Sequence, residues 1–210
     1  MDLRGSLFFH LHKGMRALHQ LASTLCSRFI ASCKGVRLGS GFRTVGIPYF
    51  YRTPHSSITI GRNCTLLSSF KSNNIGSMIR SRICTMTPQA SISIGNNVGL
   101  SAVTITAHDA ITIGDETQIG AGTVIVDADF HDLSSSDPQI RHNCLGKVKP
   151  VNIGRNVFIG TRCIILKGVT IGDNAVIGAG AIVRDDIPAN TKAAGNPART
   201  ITPMTKDAAI

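Results

Sequence analysis

An aliphatic residue returns at every sixth position from Ile153 to Val183, through Ile159, Ile165, Ile171 and Ile177. A second small or aliphatic residue lies two before each next beat: Val157, Cys163, Val169, Ala175, Ala181 and Ile187. Residues two apart on a strand face the same side, so this pairing predicts that Val157 and Ile159 point inward while Phe158 points out. A period of six is not a helix period, and a hairpin meander would need a chain reversal at every turn. It fits short strands joined by tight corners that all turn the same way. Three faces close one coil, because Ile171 lies 18 residues after Ile153. Stacked coils then pair face to face as parallel sheets, and no single coil buries its apolar edge alone. Gly154, Gly160, Gly172 and Gly178 follow four of the aliphatics, where a corner calls for a residue without a β-carbon. Asn156 and Asn174 share those corners and tolerate left-handed backbone angles. The expected fold class is an all-β solenoid.

The 210 residues suit one domain with a continuous core. No apolar run approaches the ~18 residues of a membrane span, and charges and histidines interrupt the N-terminal apolar residues, unlike a signal peptide. Six cysteines form no CxxC pair; Cys64 and Cys163 fall on inward positions. They read as reduced thiols of a cytoplasmic protein. Charge is very unevenly placed. Between Leu3 and His108 there are twelve Lys and Arg and no Asp or Glu, whereas from Asp109 onward ten basic residues meet eleven acidic ones. The basic half suits either a plain solvated surface or attraction to a membrane surface, a phosphorylated carrier or an acidic glycan. Aromatic residues make up only 5% of the chain and no nucleic-acid module is present, so nucleic acid is not expected as a partner.

Along the chain, residues 1–35 read as a basic helical segment. Leu3, Leu7, Leu11, Met15, Leu18, Ala22, Leu25 and Phe29 have helical spacing, with Arg4, Lys13, Arg16 and Arg28 among them, and Gly14 is expected to break or weaken the helix. Its apolar face is expected against the solenoid or a neighbouring subunit, the alternative being a bilayer interface. Residues 36–202 read as the solenoid and 203–210 as a tail. The early beat is irregular, through Leu38, Val45, Ile60, Cys64, Leu66, Ile75-Gly76, Ile79 and Ile92, with Pro48 and Pro54 at corners or edges. It firms up at Ile94, Val98, Leu100, Thr104 and Thr106. One extra residue precedes Ile113, and Thr117, Ile119, Thr123 and Ile125 follow. The beat then stops for 28 residues, from Ile125 to Ile153. An excursion over 127–150 must leave the coil, and loops that long in compact domains are usually functional. It opens on Asp127, Asp129, His131 and Asp132.

The ordered set DADFHD, Arg141, PVNIGRNVFIGTRCIILKGVTIGDNAVIGAGAIVRDDIP and AAGNPAR resembles the hexapeptide-repeat acyltransferases, close to the galactoside and maltose acetyltransferases and the polysaccharide O-acetyltransferases. The likeness covers about residues 36–202. It implies a left-handed parallel β-helix, a hand opposite to the usual crossover preference and not readable from spacing. It also implies acetyl-CoA as acyl donor with no metal, a homotrimer with sites between neighbouring coils, and a sugar or lipid- or nucleotide-linked glycan as acceptor. The cysteines, read as reduced thiols, suggest a cytoplasmic setting, and the basic N-terminal half suggests peripheral contact with the inner membrane face.

By the same resemblance His131 is the catalytic base. An imidazole of pKa near 6.5 can take the proton of a sugar hydroxyl at neutral pH. Asp127 or Asp129 would hold the ring or bind the sugar, and Arg141 is a further substrate-binding candidate. Thr161 and Ala179 match small residues along the pantetheine arm. Arg184 and Arg199 are the coenzyme A contacts, a guanidinium suiting phosphate oxygens. Asp185 stands where the family carries Lys, and Thr202 where the galactoside enzymes carry Arg. Their acceptor-binding Asn has no equivalent near Leu100–Ser101. His108, one coil before His131, is a lesser candidate for the acceptor pocket. Two alternatives stay open: a γ-carbonic-anhydrase-like zinc enzyme using His108, His131 and His142, and a non-catalytic scaffold.

Overall fold

The computed structural model describes residues 3–69, 75 and 79–203. After one helix, α1 (Leu3–Cys33), the chain winds through short strands that fall into three sheets. The first sheet stacks Arg37–Leu38, Ser57–Ile60, Ser91–Ile94, Ala110–Ile113, Val151–Ile153 and Thr170–Ile171, all parallel. The second and third are built the same way from the strands that follow each of these. The result is a three-sided parallel β-helix. Ile94 pairs with Ile113, accommodating the 19-residue coil, and Ile125 pairs with Ile165 across the 22 surplus residues of the excursion.

The six-residue beat corresponds to the core. Ile153, Ile159, Ile165, Ile171, Ile177 and Val183 are buried, as are Val157, Cys163, Val169, Ala175, Ala181 and Ile187, while Phe158 is exposed. Full burial of one such aliphatic side chain contributes about 2 kcal/mol. The left-handed positions recur on the same beat three residues past each aliphatic, at Asn156, Arg162, Gly168, Asn174 and Gly180. Gly154, Gly160, Gly172 and Gly178 are absent from that set, so the reason expected for them changes. A β-carbon on Gly160 would lie 2.5 Å from the backbone nitrogen of Ala179, and one on Gly178 would lie 2.8 Å from the β-carbon of Ala194. These glycines allow the next coil to approach. All six cysteines are free; Cys64, Cys84 and Cys163 are buried.

Three local expectations are corrected. Thr104 and Thr106 do not face the core; Val103 and Ile105 do, because Ala102 turns left-handed (φ 45°) and shortens that corner by one residue. Ile75 and Ile79 are exposed rather than inward; Gly76 lies outside the described residues. Gly14 neither breaks nor ends α1, which continues to Cys33. A lone glycine costs a helix about 1 kcal/mol, less than the flanking turns supply. A β-carbon at Gly14 would meet nothing within 4 Å. Gly14→Ala is therefore expected to stabilise the protein by up to about 1 kcal/mol, read as a raised midpoint in thermal melts followed by circular dichroism.

The helix also turns a different face to the solenoid than its pattern suggests. Ser23, Ser27 and Ala31 are buried against the first coil, whereas Met15, Leu18, Leu25 and Phe29 face outward. The first coil has no strand beneath it, so its backbone polar groups need other partners. The Thr24 hydroxyl accepts the Thr44 N–H at 3.0 Å, the Ser23 hydroxyl accepts the Gly46 N–H at 3.1 Å, and Arg28 donates to the Gly39 carbonyl at 3.0 Å. Ser23, Thr24 and Arg28 thus serve the open edge, while the buried Ser27 hydroxyl is left without a partner. At the other end the antiparallel pair Thr191–Gly195 and Ala198–Pro203 closes the stack. The tail from 204 onward lies outside the described residues.

Candidate active site

The excursion leaves after the third-sheet strand Val124–Val126 and returns to the first-sheet strand Val151–Ile153. Its two limbs are stitched together by the backbone. Asp129 donates to Lys147, Gly146 to Asp129, Asp132 to Cys144 and Lys149 to Asp127, at 2.8–3.1 Å. A short helix, α2 (Pro138–Asn143), forms the tip, with the Asp137 side chain capping the Gln139 N–H at 2.8 Å. The long break is thus an ordered antiparallel ribbon.

Asp127, at the root, is fully buried. Its carboxylate accepts the backbone N–H groups of His108 (2.7 Å) and Asp109 (2.8 Å), locking the ribbon to the preceding coil. His108 Nδ1 lies 3.8 Å from the same carboxylate, too far for a hydrogen bond, and its ring meets Phe130 edge-on. Burial pushes the Asp127 carboxyl up from the usual 3.8, against the downward pull of the two N–H donors. The folded chain therefore holds that proton to higher pH than the unfolded chain. The stability this group contributes is complete below 3.8 and is lost as pH rises from there through the raised value. Urea midpoints across that acidic window should fall with rising pH, and fall less steeply in Asp127→Asn.

Asp129 pairs with Lys167 at 2.6 Å, both partly buried. Lys167 belongs to the corner after the third-sheet strand Ile164–Ile165, so this pair ties the ribbon to the following coil. Asp129, Asp132, Leu133, Ser134, Lys147 and Lys167 line a cleft of about 250 Å³. The hydroxyl and N–H of Ser134 hold the exposed Asp132 carboxyl below its ordinary pKa. His131 lies on the exposed side of the ribbon, its ring 6.2 Å from that of His142 on α2. Neither Asp127 nor Asp129 is bonded to the His131 ring; each is committed elsewhere. Arg141 folds back onto the Ser135 carbonyl at 3.0 Å. Among the described residues no three His, Cys, Asp or Glu side chains gather as a metal site would need.

The remaining candidates separate into two groups. Thr161 and Ala179 stack in the corner between the second and third sheets, where the Gly180 N–H donates to the Thr161 carbonyl at 2.8 Å. Arg184 follows the third-sheet strand Ile182–Val183. There Asp185 accepts from both Arg184 (3.3 Å) and Arg199 (3.0 Å). The third sheet therefore stands between the small residues and the side of the coil that carries His131, Lys167 and Arg184, while Arg199 lies on the last strand of the second sheet and reaches Asp185 through its guanidinium. Lys167, Gly146 and Phe130 escaped the sequence reading as site residues, and His142 entered it only as a ligand of the alternative zinc site. Lys167 had a signal, lying two residues after the isoleucine that pairs with Ile125; the others depend on how the ribbon folds.

The pattern of coils agrees with known proteins. A family profile described as the hexapeptide repeat of succinyl-transferase matches residues 150–184. The galactoside O-acetyltransferase of Escherichia coli (strain K12) is 40% identical over 121 residues, 54% of this chain and 58% of that protein. A putative lipopolysaccharide biosynthesis O-acetyl transferase of the same organism is 34% identical over 104 residues, 47% of this chain and 53% of that one. The crystal structure of a hexapeptide-repeat-containing acetyltransferase from Vibrio cholerae is 32% identical, covers 60% of this chain and 72% of its own, and superposes with a TM-score of 0.50. The chain spans about half the length of the curated relatives it matches. Repeat, coil and sequence identity converge on one conclusion: this left-handed parallel β-helix belongs to the hexapeptide-repeat acetyltransferase family.

Proposed function

We propose that the chain is an acetyl-CoA-dependent O-acetyltransferase acting on a sugar hydroxyl in cell-surface polysaccharide synthesis, with His131 as general base. The observation that carries this is the accessible imidazole on an anchored ribbon at the 28-residue break between Ile125 and Ile153. The named activities of the galactoside and lipopolysaccharide relatives support the acceptor class. In the reaction the imidazole takes the hydroxyl proton as the oxygen attacks the thioester carbonyl. The carbon–sulfur bond then breaks, and the thiolate of coenzyme A takes the proton back from the imidazolium. Arg199 and Arg184 would meet phosphates of the donor, displacing the Asp185 carboxylate that now occupies them.

On this reading the site forms between subunits of a homotrimer. Thr161 and Ala179, small enough to lie along a pantetheine arm, are on the far side of the third sheet from His131, so a neighbour's His131 would serve them. The test is thiol release from acetyl-CoA with a panel of sugars and nucleotide-linked sugars. His131→Ala and Ala179→Trp, each inactive alone, should regain activity when co-expressed, because mixed trimers contain some sites with both positions intact. No regain would place the whole site in one chain; no thiol release with any acceptor would overturn the acceptor class.

A further inference from the structure

The outward face of α1 is unusual for a helix that ends on a solenoid. Phe8, Leu18 and Phe29 are 78%, 69% and 72% exposed, with Met15, Leu21 and Leu25 alongside them. They form one apolar stripe along the helix, opposite the Ser23, Ser27 and Ala31 face that rests on the first coil. Lys13, Arg16 and His12 lie on the other side of the helix, with Phe9 among them. No helix among the described residues is long and apolar enough to cross a membrane. An apolar stripe opposite a cationic face is the pattern of a helix lying in the plane of a lipid interface.

The solenoid adds a second, independent argument. In a stack of coils, order along the chain is height along the axis, at about 4.8 Å per coil. Charge that is uneven in sequence therefore becomes charge that is uneven from end to end. Strands from Arg37 to Ala107 build the three coils nearest α1, and there is no Asp or Glu from Leu3 to His108. The first acidic side chains belong to the fourth coil, about 14 Å from the first, beyond the ~8 Å screening length at physiological salt. Among the described residues, the end of the molecule that carries the apolar stripe is thus cationic without a carboxylate. A second copy of this chain is the poorer occupant for the stripe. Seams between helices are flanked by pairs of opposite charge, and α1 offers Lys, Arg and His with no carboxylate between Leu3 and Cys33.

We propose that α1 is a docking surface for an anionic lipid membrane, on which the solenoid stands with its first coil toward the bilayer. Each basic residue near such a surface adds attraction, and the stripe supplies the apolar insertion. The experiment is flotation of the full chain with vesicles of phosphatidylcholine alone or with about 30 mol% phosphatidylglycerol. Binding is expected only to the anionic vesicles, to fall about tenfold or more in ~0.5 M salt, and to be lost in Leu18→Glu/Leu25→Glu. Both side chains are exposed, so the variant should keep its circular dichroism, its mass by light scattering and its acetyl transfer to soluble sugars. Absence of flotation with the anionic vesicles, or equal flotation with neutral ones, would overturn the proposal. A fall in the variant's mass would do so too, by showing that the stripe joins copies of the chain.

Discussion

His131→Ala is expected to lower turnover by about 10²–10⁴-fold while leaving the coil and its melting temperature unchanged. The side chain is exposed and accepts no structural hydrogen bond from the core, so its removal opens no cavity. What is lost is proton acceptance from a hydroxyl far too weakly acidic to ionise at neutral pH. Because imidazole acts in the transition state, the loss should appear in kcat and leave the affinity for acetyl-CoA nearly constant. Thiol-release kinetics and a thermal shift with coenzyme A check the two halves. Turnover within threefold of wild type would remove His131 from the mechanism, and His142, whose ring lies 6.2 Å away, would be the next base to examine.

Gly146→Ala should also be damaging, to a lesser degree, although Gly146 carries no chemistry. A β-carbon there would collide with the carbonyl oxygen of His131 and approach the β-carbon of Asp129 to 2.7 Å. Asp129 is held by the ribbon's own ladder, in which the Gly146 N–H donates to Asp129 at 3.1 Å, and by Lys167; His131 is fixed between Asp129 and Asp132, whose N–H donates to Cys144 at 3.0 Å. The limb opposite Gly146 must shift, and with it the imidazole. A displacement of about 1 Å of a reacting group costs up to about 10²-fold, so a fall of roughly ten- to a hundredfold in kcat is expected. The ribbon lies outside the buried stack, so the melting temperature should move little. A variant with normal kcat would show that the position of His131 does not depend on this limb.

The coil was legible because its rule is local and repeated. Each inward aliphatic from Ile153 to Val183 is set by residues within a few positions of it, and an error at one beat is corrected at the next. The rule failed where local geometry departed from the average. Ala102 takes a left-handed angle that Asn or Gly would have announced, so Thr104 and Thr106 were placed on the wrong face. Gly154, Gly160, Gly172 and Gly178 serve the coil for a different reason than local turning, since the clash they avoid is with the next coil, 16 to 19 residues away.

The excursion shows the same division. Its existence and length follow from counting residues between Ile125 and Ile153, and its acidic, histidine-bearing root can be read directly. The partners of those side chains cannot. Asp127 and Asp129 look interchangeable in sequence, yet one is buried on two backbone N–H groups and the other is paired with a lysine 38 residues later.

What the order of amino acids determined by itself is the solenoid, the long interruption after Ile125 and the concentration of positive charge at one end, because each is a property of neighbours along the chain; the shorter interruption between Leu67 and Arg82 was hidden by the irregular early beat. Only the tertiary structure decided which face of α1 meets the first coil, what Asp127 and Asp129 hold, and that Thr161 and Ala179 stand across a sheet from His131. Those outcomes depend on unpaired backbone groups at the open end of the stack and on contacts between coils, and neither is encoded at any one position of the sequence.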